Sequence, residues 1–261
     1  MNFIKNALLI VMCWLTLQDV KALEKVSSNT EPDFITPEYI LPCSRKDPAI
    51  DSCIQTAFNH LRPYLINGIS ELDLPPIEPL IIPELKMQNG QGGVRVIARF
   101  SNISAIGPGN YTIRKVRSDL KSLRLDLHLN IPRIELQGHY EVAGNVLVFP
   151  IQSHGDFWAV FGDVNSVAKV QGDDIVRDGI HYMKIARLVV DFKLGSSRFK
   201  VADHLNGNNV IGQAMNQFLN DNSKEIIDEM RPAASASIAK HFKSFLNTAF
   251  TKVPLKVWLH D

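Results

Sequence analysis

Residues 208–250 read NNVIGQAMNQFLNDNSKEIIDEMRPAASASIAKHFKSFLNTAF, and this stretch decides the fold. Apolar side chains recur in it at spacings of three and four, which is the period of an amphipathic helix. A single helix of that length would extend roughly 60 Å, longer than a compact domain of this size is wide. Its apolar stripe therefore needs a long partner that wraps around it, and such a wrapping can leave an apolar channel beside the helix.

The preceding residues supply that partner as β-strands. From Gly92 to about Phe199 apolar and polar side chains alternate, which predicts strands with one buried face. Pro132 interrupts the alternation. Before it the apolar residues have odd numbers, and after it, at Ile134 and Leu136, they have even numbers, which indicates a bulge or a bend. Further strands are predicted at 138–143, 145–152, 156–170 and 180–194, with turns at Gly144-Asn145, Gly172-Asp173 and Asp178-Gly179.

A shorter helix is predicted before the strands, from Asp47 as the N-cap to Gly68, with Pro48 at its first position. An extended, proline-rich connector from Leu74 to Pro83 follows it. Together these patterns predict an α+β fold in which a curved antiparallel sheet is rolled around one long C-terminal helix. Pro232 is expected to bend that helix near its middle.

The first 22 residues have the pattern of a secretory signal peptide. Lys5 precedes an apolar run from Ala7 to Leu17, which is too short to span a bilayer, and Val20 and Ala22 are small residues suited to a cleavage site. A buried N-terminal helix is the alternative interpretation. We expect a signal peptide at 1–22, a single domain at 23–261, and a protein that is secreted and does not insert stably into membranes.

Removal of the signal changes the cysteine count and the charge. Cys13 leaves with it, and Cys43 and Cys53 remain, ten residues apart, which predicts a disulfide in an oxidising compartment. The full chain has 28 basic and 27 acidic residues, and loss of Lys5, Lys21 and Asp19 brings the formal net charge to zero. A balanced chain argues against nucleic acid or an anionic membrane as the main partner.

Two tripeptides fit the acceptor pattern for N-linked glycosylation. They are Asn102-Ile103-Ser104 and Asn110-Tyr111-Thr112. Such triplets also occur by chance, so the sequence alone leaves the use of Asn102 and Asn110 open.

The sequence lacks the common motifs for catalysis and for metal binding. It contains neither Gly-x-Ser-x-Gly nor His-Glu-x-x-His, and no second Cys or His pair stands at zinc-ligand spacing. His154 beside Gly155-Asp156 is the best candidate for catalysis, but a loop histidine near an aspartate is usually structural. We expect no enzyme activity, no cofactor and no metal.

The candidate binding residues are apolar. They could line a ligand tunnel or could simply pack the sheet against the helices, because both roles use the same residue types. Tyr140 adds a hydroxyl that can meet a ligand oxygen, and Met215 adapts to varied shapes. The candidates are Phe58, Leu61, Leu65, Phe100, Leu125, Leu127, Tyr140, Phe149, Phe157, Phe161, Met215, Phe218, Leu219 and Phe242.

Several blocks of the sequence carry a resemblance to a known family. They are Cys43 and Cys53 followed by Ile54, residues 99–107 (RFSNISAIG), 138–144 (GHYEVAG), 147–151 (LVFPI), Gly155-Asp156, Asn206-Gly207, 215–220 (MNQFLN), 224–226 (KEI) and 252–254 (KVP). With these blocks the chain resembles the takeout and haemolymph juvenile-hormone-binding protein family of insects over essentially its whole mature length. It departs from the family where relatives often carry Trp and this chain has Ser223, and where relatives often show Gly-x-Gly-Asp and this chain has Ser153-His154-Gly155-Asp156.

The resemblance implies a tubular lipid-binding (super-roll) fold without catalysis. It implies an elongated apolar tunnel for one small hydrophobic ligand, such as a juvenile-hormone-like terpenoid or a fatty acid. It also implies secretion into haemolymph and a role in circadian, feeding or developmental control. We expect a monomeric carrier; a membrane-active lipid-binding defence protein is the main alternative, followed by a secreted hydrolase and a signalling ligand.

Overall fold

Two very long strands form the centre of the sheet. In the computed structural model, which describes residues 34–146, 148–203 and 209–261, strand β5 (Arg124–Val146) pairs antiparallel with β6 (Phe149–Arg177) along its whole length. The sheet follows the strand order β2-β3-β5-β6-β7, with β4 paired to β5 and β8 paired to β6. The predicted antiparallel sheet is therefore confirmed.

The remaining elements, numbered along the chain, are β1 (Cys43–Ser44), α1 (Ile50–Asn67), β2 (Leu80–Asn89), β3 (Val94–Ile106), β4 (Thr112–Asp119), β7 (Ile180–Lys193), β8 (Ser196–Asp203), α2 (Asn209–Asp221), α3 (Ser223–Phe250), α4 (Leu255–Trp258) and β9 (Leu259–His260). Short 3₁₀ turns lie at Ser70–Leu72 and Pro108–Asn110. Residues Thr36–Asp261 form one compact unit. The predicted signal peptide at 1–22 lies outside the described residues.

The long strand pair bends at Pro132, as predicted. Pro132 faces Asp163 between the paired positions Ile131↔Val164 and Arg133↔Gly162, and Asp163 has a left-handed φ of 50°. The buried apolar side chains of β5 stand at odd positions before this point, at Leu125 and Leu127, whereas Tyr140, which is buried after it, stands at an even position. The pairing register does not shift, so the change of face is a bend shared by both strands and not a bulge.

The bend divides the sheet into two parts. Half-sheet A consists of β4, residues 124–131 of β5, residues 164–177 of β6, and β7. Half-sheet B consists of β2, β3, residues 133–146 of β5, residues 149–162 of β6, and β8.

The sheet curls around the C-terminal helices. Helix α3 packs against both β2 and β7, which stand at opposite ends of the strand path, while α1 packs on β4 and α2 on β8. Near its N-terminus α3 is fixed by Glu229, whose carboxylate oxygens accept hydrogen bonds from the backbone N–H groups of Gly93 (3.0 Å) and Val94 (2.6 Å). This is the predicted rolled arrangement.

The prediction of a single helix over 208–250 was wrong. The described part of this stretch forms two helices, α2 and α3, which are separated at Asn222 (Asn208 itself lies outside the described residues). Asn222 takes the N-cap position of α3, and its side-chain amide donates to the carbonyl of Phe218 (2.8 Å). A polar run, Asn220-Asp221-Asn222, interrupts the apolar stripe here, and such short polar side chains favour helix ends over helix interiors.

Two of the three predicted turns were also wrong. Gly144-Asn145 lies within β5, and Gly172-Asp173 lies within β6 at a shift of its register with β7. Glycine inside a strand often marks a bulge or a close approach of two chains, and without the pairing partner its pattern is the same as that of a turn. Asp178-Gly179 is a two-residue turn between β6 and β7, with φ values of 52° and 78°.

The first helix and the connector have different bounds from those predicted. Helix α1 begins at Ile50, and Asp47 instead accepts a hydrogen bond from the N–H of Ala49 (2.7 Å) in the preceding turn; Gly68 ends the helix as expected. The sheet begins at Leu80, inside the predicted connector. Proline 83 is compatible with this strand because β2 is an edge strand, where a missing N–H is tolerated.

The predicted disulfide between Cys43 and Cys53 is confirmed, with a Cα–Cα distance of 5.9 Å. It joins β1 to α1, and β1 pairs in parallel with the C-terminal strand β9. The disulfide therefore links the first helix to both ends of the described fold.

Replacing both cysteines by serine is expected to lower the free energy of unfolding by about 2–3 kcal/mol, because it removes the constraint on a ten-residue loop of the unfolded chain. Urea denaturation of the double variant and of wild type measures the difference. An unchanged midpoint would contradict a stabilising role for the bond.

Candidate functional site

The inner face of half-sheet A is a closed apolar core. Leu125, Met183 and Ile185 have at most 2% of their surface exposed, and they pack with Ile54 of α1 and with Leu255 of α4. Close packing of this kind leaves little room for a ligand.

The inner face of half-sheet B differs because four of its phenylalanine side chains are only half-buried. The fully buried positions on its central strands include the small residues Ala98 and Ala159 and the polar Ser153, together with Val96 and Tyr140. We call the set of half-buried aromatic side chains on this face the aromatic face; it comprises Phe100, Phe157, Phe161 and Phe199.

The rings of the aromatic face contact one another across the strands. Phe100 and Phe157 meet edge to face with their centroids 5.2 Å apart, although β5 lies between their strands. They can meet because the intervening residue is Gly138, where a Cβ atom would lie 3.1 Å from the Phe157 ring. Phe161 and Phe199 form a second edge-to-face pair at 5.8 Å.

One polar pair lies within this apolar face. The Tyr140 hydroxyl and the Ser153 hydroxyl are 2.7 Å apart, and both residues are buried. Either oxygen can be the donor. Ser153 stands where the family resemblance leads one to expect glycine, so this hydrogen bond is a feature of the present sequence.

Helix α2 lies across the aromatic face. At one side its Asn220 bonds Phe199 of β8, and at the other its Phe218 packs against Val94 and Val96 of β3. β8 and β3 are separated by β5 and β6 in half-sheet B, so α2 spans the face from side to side.

Two asparagines one helical turn apart hold α2 to the edge of β8. Asn216 accepts from the N–H of Val201 (2.7 Å) and donates to its carbonyl (2.9 Å). Asn220 accepts from the N–H of Phe199 (2.9 Å) and donates to its carbonyl (2.8 Å). Each side-chain amide thus pairs with the strand as a neighbouring peptide group would.

The structure distributes the predicted site residues over several places. Phe100, Tyr140, Phe157 and Phe161 share the inner face of half-sheet B, and Met215, Phe218 and Leu219 lie half-buried on α2. Phe58, Leu125 and Leu127 belong to the closed core, Leu61 and Leu65 pack beside Ile69, Leu72 and Leu74, and Phe242 packs beside Ile77, Leu80 and Ala105. The side chain of Phe149 lies outside the described residues.

Sequence reasoning missed Ser153, Phe199 and the roles of Asn216 and Asn220. The asparagines had a detectable signal, since two asparagines at i and i+4 within an amphipathic helix are unfavourable unless their side chains are bonded. Phe199 stands at the end of the alternating region and Ser153 is polar, so neither could be distinguished by its pattern alone.

The described residues offer little for catalysis. Within 34–146, 148–203 and 209–261 no group of three or more His, Cys, Asp or Glu side chains is arranged to hold a metal ion, and no described helix is long and apolar enough to cross a membrane.

A surface depression of 560 Å³ at the α2–α3 junction is lined by polar side chains, which do not suit a hydrophobic ligand. His154 lies on the exposed face of half-sheet B opposite Glu141.

The comparisons with known proteins agree with this geometry. Residues 15–260 match the haemolymph juvenile hormone binding protein family. The chain belongs to this family. The family is one of binding proteins, as the resemblance had suggested.

Individual relatives are distant. The chain is 23% identical to the circadian clock-controlled protein daywake of Drosophila melanogaster over 247 residues, which cover 90% of this chain and 92% of that protein. It is 21% identical to daywake of Drosophila yakuba over 212 residues, covering 78% and 82% of the two chains. The crystal structure of Epiphyas postvittana Takeout 1 superposes with a TM-score of 0.71 at 20% identity, covering 84% of this chain and 99% of that one, which confirms the fold.

Replacing Asn216 and Asn220 together by alanine is expected to release α2 from β8 without unfolding the sheet. The N–H groups of Phe199 and Val201 would lose their acceptors and should exchange with deuterium at least about tenfold faster, since each net hydrogen bond contributes about 1 kcal/mol. Hydrogen-exchange mass spectrometry or NMR measures the effect.

N247A is a matched control, because Asn247 of α3 makes the same two-bond pair with Ile185 of β7 in the closed half. It should affect protection at Ile185 and leave Phe199 and Val201 unchanged. Equal loss of protection at β8 in both variants would refute a local attachment of α2.

Burial lowers the pKa of His241 on α3 below its usual value of 6.5. The unfolded chain therefore takes up this proton at a higher pH than the folded protein, so this residue should reduce the free energy of unfolding as the pH falls below about 7. Urea midpoints between pH 5 and pH 7.5 are expected to change less in H241N than in wild type; identical slopes would contradict the effect.

Proposed function

We propose that the protein is a secreted carrier that binds one small hydrophobic molecule between helix α2 and the aromatic face. The observation that carries the proposal is the contrast between the two half-sheets: the inner face of half-sheet A is closed, whereas half-sheet B keeps large aromatic side chains half-buried beneath a helix. Membership of a family named for binding a hormone supports the same conclusion.

A long, narrow ligand fits this face best. Phe157 and Phe161 follow one another along β6, and Phe199 lies beside them on β8. Helix α2 is bonded to β8, and Ile226 and Met230 of α3 pack with Val94 and Val96 of β3 on the same face. A fatty acid or a juvenile-hormone-like terpenoid has the required shape, and its apolar chain would be enclosed as in a tunnel. The disulfide and the family support secretion into the haemolymph.

Binding is driven by removal of apolar surface from water. Each buried methylene contributes about 0.8 kcal/mol, which corresponds to roughly a fourfold gain in affinity. The Tyr140–Ser153 pair supplies hydroxyl groups that can meet the oxygen atoms of a ligand and fix its orientation.

The name of the daywake relatives adds a physiological setting. They are clock-controlled proteins, and we extend to this chain a role in circadian or feeding control, exercised through the ligand that it carries. The alternative of a membrane-active defence protein finds less support, because loss of the predicted signal leaves a formal net charge of zero.

A chain-length series of fluorescent or competing fatty acids tests the proposal. Affinity is expected to rise by roughly fourfold per methylene and then to level off once the chain exceeds the enclosed length. A continuous rise without a plateau would indicate adsorption to an open surface, and absence of binding throughout the series would refute the carrier role.

Phe157→Leu and Phe161→Leu are each expected to weaken binding of the fatty-acid probe by about 3- to 10-fold through loss of ring contact. Phe250→Leu is the matched control, because Phe250 packs in the closed core against Trp258. The control should lower the free energy of unfolding and leave the Kd unchanged. Equal effects of all three variants on the Kd would contradict a site on the aromatic face.

The double variant Tyr140→Phe with Ser153→Gly removes both hydroxyl groups of this hydrogen bond, so neither of them is left without the other. It is expected to bind a fatty acid about 3- to 10-fold more weakly, while a purely hydrocarbon probe of similar length keeps its affinity. Titration with both probes checks this. Equal weakening for both probes would show that the pair shapes the cavity and does not recognise a polar group.

A further inference from the structure

The outer surface of β2 and β3 exposes large apolar side chains. Ile81 is 57% exposed and Ile106 is 52% exposed. Ile81 stands opposite Ser104, and Ile106 lies two residues further along β3, so both isoleucines are on one part of the outer face. β2 is also the first strand of the sheet path, and an apolar edge of this kind invites association with another sheet or another apolar surface.

The two acceptor tripeptides for N-linked glycans bracket this apolar patch. Asn102 precedes Ile106 by four residues and Asn110 follows it by four. With a rise of about 3.3 Å per residue, Asn102 lies about 13 Å from Ile106 along β3. It lies about half that distance from Ser104, which pairs with Ile81. Both asparagines are exposed.

The backbone at Asn102 departs from regular strand geometry, and the side chain is exposed. Asn102 lies at a β-bulge, where the register of β3 with β5 shifts between Ser101 and Ser104, and it has a left-handed φ of 51°. Gly138 of β5 accommodates the bulge, because a Cβ there would lie 2.8 Å from the Ser101 carbonyl and 3.1 Å from that of Asn102. A large substituent on the Asn102 side chain therefore meets solvent.

Asn110 is also exposed, but it lies in a 3₁₀ turn and not on a strand. It ends the 3₁₀ turn Pro108–Asn110, which is held by the Glu78 carboxylate through hydrogen bonds from the N–H groups of Gly107 (2.8 Å) and Gly109 (2.9 Å). The turn fixes the backbone at Asn110 while its side chain stays exposed.

We propose that N-linked glycans on Asn102 and Asn110 cover Ile81 and Ile106 and prevent this edge of the sheet from associating with a second copy of the chain. A glycan is bulky and hydrophilic, so it shields an apolar surface without needing a specific contact. The exposed isoleucines lie on the face of β2 and β3 opposite to that of Val94 and Val96, which face α2 and α3. The proposal shares only the secretory route with the carrier function and does not depend on a ligand.

The first experiment measures occupancy on the full chain secreted from insect cells. Treatment with a peptide N-glycosidase converts each occupied asparagine to aspartate, and peptide mass spectrometry locates the change. S104A and T112A remove the acceptor patterns, whereas S104T and T112S keep them and serve as matched controls. We expect each alanine variant to lose one glycan and the controls to lose none; secreted wild-type protein with both asparagines unmodified overturns the proposal.

The second experiment measures self-association by sedimentation velocity before and after enzymatic removal of the glycans, and also in the S104A/T112A variant, which lacks both glycans without the two aspartates that the enzyme creates. The apparent association constant is expected to rise by at least about tenfold on deglycosylation, because two isoleucines become available for burial. Deglycosylated I81T/I106T protein should return to the monomeric state. A deglycosylated wild type that remains monomeric, or an I81T/I106T variant that associates equally, overturns the shielding role.

Binding of a fatty-acid probe separates this inference from the carrier proposal. Deglycosylation is expected to leave the Kd of the monomer unchanged, because the glycans lie on the opposite face from the ligand. If the glycans prevent self-association but the probe does not bind, only the carrier function is refuted. If the probe binds but removal of the glycans does not cause self-association, only the role of the glycans is refuted.

Discussion

Helix α3 contacts both β2 and β7, and the rest of the fold depends on this contact. These strands stand at opposite ends of the sheet path, so the sheet must curl until both reach the same helix. The bend shared by Pro132 and Asp163 allows the two longest strands to follow this curvature while they stay paired. The curl produces two inner faces, one packed by α1 and the C-terminal elements and one covered by α2 and the N-terminal part of α3.

The helices are attached to strand edges by asparagine side chains, and this has a functional consequence. A side-chain amide offers one acceptor and one donor, so it can pair with a strand without adding another strand. The pairs are Asn59 with Ile113, Asn247 with Ile185, Asn216 with Val201, and Asn220 with Phe199. Because α2 is held at the edge by such bonds, its attachment does not require tight packing on the aromatic face beneath it. Half-sheet B can therefore keep half-buried aromatic surface and remain folded, as the proposed carrier function requires.

The sequence predicted the long-range architecture better than the local boundaries. The apolar stripe after residue 208 and the alternation from residue 92 were sufficient for the rolled sheet, because burial of such patterns admits few arrangements. Gly144 and Gly172 were misinterpreted as turns, since a glycine within a strand and a glycine between strands look alike without the pairing partner. The division at Asn222 was missed because the apolar stripe continues on both sides of it.

The candidate site could be predicted only in part. Phe100, Tyr140, Phe157 and Phe161 are candidates by residue type, and the structure brings them onto one face. Leu125 and Leu127 have the same sequence pattern, yet they lie in the closed core, because the bend at Pro132 assigns them to the other half-sheet. Whether an apolar residue lies in the closed core or on the aromatic face depends on which helix covers it, and periodicity does not carry that information.

The central claim is that half-sheet B holds one hydrophobic molecule, and native mass spectrometry of the protein secreted from insect cells tests it most directly. The intact protein is weighed first, and organic extraction then releases and identifies any bound molecule. We predict a single lipid or terpenoid at a stoichiometry of about one per chain, or an empty protein that takes up one added fatty acid or juvenile hormone molecule. A protein that is isolated empty and takes up neither compound would mean that α2 packs directly on the aromatic face, and the carrier account would be wrong.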